Sequence, residues 1–67
     1  MDKESLQKIL EQHQHWLDTE GEEGAQAELR GAELQGVNLQ GVNLQEAELW
    51  GAKLQGAKLQ EADLQEA

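Results

Sequence analysis

His13 and His15 are the only imidazoles in this 67-residue chain, so any metal or general-base chemistry has to begin with them. Imidazole is the commonest metal donor and titrates near neutrality. Residues two apart on a helix do not face each other, however, and the chain has no cysteine to add a thiolate. A carboxylate would have to complete the ligand set, so the spacing favours a packing role for His13 and no metal. Glu11 and His15 stand at i, i+4, the spacing of a solvated helix pair. The hydroxyl nucleophiles are Ser5 and Thr19 alone, with no tyrosine. Catalysis needs a base, nucleophile or metal in a concave pocket. The expectation is a non-enzyme with no catalytic, cofactor-binding or metal residue and no cofactor.

The histidines belong to an amphipathic segment. Leu6, Ile9, Leu10, His13 and Leu17 follow the i, i+3, i+4, i+7, i+11 spacing of one helical face, with Trp16 at its border, and predict a helix of about fifteen residues. Asp2 can cap its start, where Asp2 and Glu4 also suit the positive end of the helix dipole. Gly21 and Gly24 then provide a stop and a turn. Three regions are expected: a helix within residues 1–20, an acidic Gly-containing linker at 21–26, and a repeat region at 27–67.

The repeat is the strongest signal in the chain. From Ala27 to Glu66 five residues recur eight times without a gap, as Ala or Val, a polar residue, Leu, usually Gln, then Gly or Glu. On an α-helix a five-residue step turns successive leucines by roughly 140° and scatters them round the circumference. Gly31, Gly36, Gly41, Gly51 and Gly56 would each cost a helix about 1 kcal/mol. A flat strand fails as well, because its sides alternate with period two. The chain must turn a corner in every repeat, so that Leu29, Leu34, Leu39, Leu44, Leu49, Leu54, Leu59 and Leu64 all point inward as a structural core.

These residues resemble the pentapeptide-repeat proteins, whose pattern is A-(D/N)-L-x-x. The resemblance covers 40 of 67 residues. It implies a β fold, a right-handed quadrilateral β-helix of about two coils with four repeats to a coil; the amphipathic helix of residues 1–20 is then expected to lay its apolar face across the open end of the stack as an N-terminal cap. The second positions depart mildly from the pattern: Glu28, Glu33, Asn38, Asn43, Glu48, Lys53, Lys58 and Asp63.

With four repeats to a coil, residue n stacks on residue n+20. Gln35, Gln40 and Gln45 then fall over Gln55, Gln60 and Gln65 as three amide ladders, Glu33 over Lys53 as an opposite-charge pair, and Arg30 over Trp50 as a cation–π stack. Glu28 over Glu48 and Glu46 over Glu66 are like-charge pairs. Glu46 with Glu66 is the one paired-acid arrangement, and an exposed corner makes it solvated surface charge. Trp50 stands where six repeats have Gln and one has Arg30. It either stacks on Arg30 or under the linker, or anchors an interface, where Trp is enriched.

Net charge is −9. The acids of residues 1–26 outnumber Lys3 and Lys8 to leave −5, and those of residues 27–67 outnumber Arg30, Lys53 and Lys58 to leave −4. That sign disfavours direct nucleic-acid binding. No apolar run suits a signal peptide or a membrane span, which predicts a cytoplasmic chain without a membrane partner. Ala67 opens a ninth repeat with nothing after it to close the last coil. An uncovered coil end exposes backbone groups and leucine, so a longer chain, a second copy or another protein should cover it. The expected function is a structural, protein-interaction module that self-associates or docks a partner through the C-terminal coil, with Trp50, Leu59, Leu64 and Ala67 as interface candidates. The resemblance also implies an alternative: an acidic DNA mimic that binds a DNA-handling enzyme such as DNA gyrase.

Overall fold

The computed structural model describes residues 1–67. A single helix, α1, runs over Lys3–Asp18. Asp2 caps it in an extended conformation, its carboxylate accepting from the Ser5 N–H and hydroxyl at 3.3 and 3.2 Å. Thr19 ends it: its hydroxyl donates to the His15 carbonyl at 2.9 Å and accepts from the Glu23 N–H at 2.9 Å. The returning loop then presses against the helix at Gly24, with φ +73°, where a Cβ would lie 2.6 Å from the Gln12 carbonyl and 2.7 Å from the Trp16 nitrogen. Only glycine fits there. Adjacent to it the Ala25 N–H donates to the Gln12 carbonyl at 3.2 Å.

From Ala27 onward each repeat is one short straight side and one corner. At every corner a leucine carbonyl accepts from the N–H three residues on, from Leu29 with Ala32 at 3.1 Å to Leu64 with Ala67 at 3.0 Å. The fifth residue of each repeat takes positive φ, between 58° at Glu66 and 75° at Gly51. A hydrogen-bonded turn with positive φ at its third residue is type II, which favours glycine there. Glu46, Glu61 and Glu66 adopt the same conformation at φ 62°, 63° and 58° without that freedom.

The sides pair in parallel at a separation of twenty residues: Glu28 with Glu48, Glu33 with Lys53, Asn38 with Lys58 and Asn43 with Asp63. Each pairing is a single bridge and not a stretch of sheet, because a corner interrupts the chain every five residues. The bridge at Glu48 shows the bonding: the Leu29 N–H donates to the Glu48 carbonyl at 2.7 Å, and the Glu48 N–H to the Ala27 carbonyl at 2.9 Å. A further bond joins each pair of corners, as from the Gly31 N–H to the Trp50 carbonyl at 2.9 Å.

The core is one-sided. Leu29, Leu34, Leu39 and Leu44 are buried, together with Ala27, Ala47 and Leu6. Ile9 and Leu10 pack against them from α1, so the four repeats of residues 27–46, the first coil, lie between the helix and the four of residues 47–66, the second. Leu49, Leu54 and Leu59 are only half-buried, and Leu64 is 36% exposed. The eight leucines therefore do not form one uniform core as the repeat suggested, because nothing packs beneath the second set. The molecule measures 33 × 22 × 19 Å, and no helix is long and apolar enough to cross a membrane.

Candidate interaction site

His13 closes the upper end. It is fully buried, and the Ala27 N–H donates to its Nδ1 at 2.9 Å. An amide can only donate, so Nδ1 carries no hydrogen. The hydrogen therefore sits on Nε2, which donates to the Gln45 carbonyl at 2.8 Å. One ring thus ties α1 to the start and the end of the first coil. Its face stacks on Trp16 with centroids 5.6 Å apart, and the N-terminal amine adds a bond to the Glu33 carbonyl at 3.3 Å. Leu17 is half-buried beside this contact. His15 lies on the outer face and turns to Glu23, with Nε2 to Oε1 at 2.9 Å, and not to Glu11, which accepts from Gln7. The linker brings Glu23 closer than the helix spacing brings Glu11. No group of three or more His, Asp or Glu side chains converges as a metal site would.

The lower end is open. In the first coil the N–H groups of Leu29, Leu34, Leu39 and Leu44 all donate to the second coil. The corresponding N–H groups of Leu49, Leu54, Leu59 and Leu64 have no backbone acceptor, nor do those of Gly51, Gly56, Glu61 and Glu66. The carbonyls of Ala47, Ala52, Ala57 and Ala62 likewise receive no backbone bond. These groups and the half-buried leucines between them form one face, with Ala67 exposed at its rim.

Around that face stand Glu48, Lys53, Lys58 and Asp63, one to a side, and Trp50 at a corner. Trp50 is 83% exposed. The expected stack of Arg30 on its indole does not form: Arg30 turns to Glu48, with Nε 3.8 Å from Oε2, because a carboxylate lies in reach on the same side. Open clefts of about 490 and 470 Å³ flank the indole, the larger lined by Gln26, Arg30, Glu46, Glu48 and Glu66 among others.

Of the three amide ladders only Gln40 to Gln60 forms, at 3.2 Å. Gln45 donates instead to the Asp63 carboxylate, a stronger acceptor. Gln35 and Gln55, on an exposed corner, do not bond to each other, and no ion pair joins Glu33 to Lys53. What the repeat pattern did not disclose is the work of Asn38, Asn43 and Asp63. Their Oδ1 atoms accept from the N–H two residues on, at 3.0, 3.1 and 3.2 Å, fixing the approach to the corner. The signal was present in the second position, where Asn and Asp are short enough to close such a turn and Glu or Lys is not.

The family model described as Pentapeptide repeats (8 copies) matches residues 32–67. No curated protein and no solved structure matches the chain. The repeat at residues 27–31 lies outside the match, yet it shares the corner bond and the positive φ of its neighbours. Matched over more than half of its length, and carrying in every repeat the inward leucine and the corner that the pattern demands, the chain belongs to the pentapeptide repeat family, whose repeats imply a β-helix fold.

Proposed function

We propose that the chain is a non-enzymatic interaction module. Two coils of a right-handed, four-sided β-helix form a short rigid block, closed at the N-terminal end by α1 and docking protein through the face of the second coil. One contrast carries this reading. The upper coil face is sealed by His13 and the N-terminal amine at 2.8–3.3 Å, while the lower face keeps its ladder donors, its acceptors and a 36% exposed Leu64. Unpaired strand edges of this kind are templates for further pairing. Trp50 at the rim supplies an aromatic anchor, and the clefts beside it are open and shallow in place of a substrate pocket.

Hydrogen exchange and light scattering test the reading together. A covered face protects the amides of Leu49, Leu54, Leu59 and Leu64 to a degree approaching those of the first coil. A well-folded monomer whose second-coil amides exchange freely at every concentration, alone and with candidate partners, overturns it.

The alternative is an acidic mimic of DNA that occupies a DNA-handling enzyme such as gyrase, and the net charge of −9 favours it. Lys53 and Lys58 on adjacent sides and a length of only 33 Å count against it. Unchanged gyrase supercoiling at high protein concentration removes it.

A further inference from the structure

We propose that α1 is a lid released by mild acid, held shut by two backbone bonds that only the uncharged ring of His13 can make. The device lies at the opposite end of the stack from the docking face and stands whether or not that face is occupied.

The lid has few other fastenings. Of the 16 residues of α1 only Leu6 and His13 are buried, while Ile9, Leu10, Trp16 and Leu17 are half-buried. Its polar bonds to the coil are the two of His13, joined by that of the Met1 amine to the Glu33 carbonyl. Beneath it the N–H groups of Glu28, Glu33, Asn38 and Asn43 have no backbone acceptor, so the helix covers the upper edge of the first coil without pairing it. Nor does α1 have much stability of its own, since an isolated helix of about fifteen residues is marginal in water.

Acid acts on this lid through one nitrogen. A free imidazole takes its second hydrogen near about pH 6.5, and the charged ring carries an N–H on both nitrogens. Nδ1 of His13 accepts from the Ala27 N–H at 2.9 Å, so a hydrogen there sets two donors against each other. The residue is 0% exposed, which denies both the displaced amide and the new charge their water. In acid the closed state therefore holds one proton fewer than the open one, and a state that binds fewer protons loses stability as pH falls.

None of the charged groups on the surrounding elements bonds to the ring. On α1, His15 pairs with Glu23 of the linker, and Asp18 accepts from Gln14. Glu20 of the linker and Glu28 and Glu46 of the first coil are exposed, and Asp63 of the second accepts from the Gln45 side chain. Acid charges His15 and so tightens its pair with Glu23, and it keeps the Met1 amine charged on the Glu33 carbonyl; both effects oppose release. Free carboxylates change charge about two pH units lower than imidazole. His13 is left as the trigger.

Hydrogen exchange of the α1 amides in the full chain, followed by NMR from about pH 7.5 to about pH 5.5 and corrected for the intrinsic exchange rate, tests the proposal. The opening constant of α1 should rise about tenfold over that span, the factor for one imidazole that is charged only in the open state. His13→Gln, whose amide offers one acceptor and one donor without titrating, should change less than about twofold, and His15→Gln should keep the tenfold response. The nitrogen signals of the wild-type ring give a readout that needs no variant. The closed chain should show hydrogen on Nε2 alone, and gain of the second hydrogen should accompany loss of α1 protection. Protection that survives while His13 takes up that hydrogen overturns the lid, as does a wild type equally protected at both ends of the range. A response that persists in His13→Gln, or vanishes in His15→Gln, overturns His13 as its trigger.

Discussion

At the scale of single residues, His13 does more than its place on an apolar face indicated. The helical spacing marked it for packing, but its two backbone partners lie 14 and 32 residues away in sequence, and no local pattern announces them. Leucine at this position would fit the apolar face and strand both the Ala27 N–H and the Gln45 carbonyl. His13→Leu should therefore cost about 2–4 kcal/mol in urea denaturation, the loss expected for two buried unsatisfied groups. The corner residues allow a test of opposite sign. Glu46 holds φ 62° without glycine's freedom, so Glu46→Gly should raise stability by about 0.5–1 kcal/mol, relief of left-handed strain exceeding the added chain entropy. At Gly41 a Cβ would meet nothing within 4 Å. Gly41→Ala should nevertheless lower stability by about 1 kcal/mol through backbone conformation alone. Equal effects of one sign from the two changes would contradict the corner geometry. The alternation of Gly with Glu at the fifth position was visible in the sequence; the positive φ that unites them was not.

Among the elements, α1 was legible almost to its ends. Its apolar spacing and Asp2 placed it within residues 1–20, and the helix spans Lys3–Asp18. The linker was legible only as a stop. That Gly24 touches the backbone of Gln12 and Trp16 depends on the loop doubling back, which composition does not encode. Gly24→Ala combines a clash with a strained φ and should cost about 2–5 kcal/mol. Thermal melting would show it, and a shift of under a few degrees would mean that the loop stands off the helix. The stacked pairs fared unevenly for a related reason. The separation of twenty residues follows from backbone bridges, whereas an exposed Gln or Arg chooses among several acceptors at similar distance, as Gln45 does with Asp63 and Arg30 with Glu48.

Over the whole molecule the important property is its gradient from a closed end to an open one. Leu44 is fully buried and Leu64 is 36% exposed, although both occupy the third position of identical-looking repeats. Leu44→Ala should cost about 2–5 kcal/mol, as in a packed core, and Leu64→Ala about 1 kcal/mol or less in the monomer. Chemical denaturation at low protein concentration separates the two, and equal costs would mean that the second coil is packed from below. The repeat told where each leucine points but not what lies beyond it, since burial depends on neighbouring layers and not on the five-residue pattern.

The sealed upper face also gives the stack a direction. A solenoid with two bare ends can add copies head to tail without limit, since each addition exposes a fresh end. Here α1, pinned by His13, removes one of those ends from circulation. Growth of the stack by pairing is thereby confined to the side of the second coil, and the histidine in the helix acts as a stop on the other side.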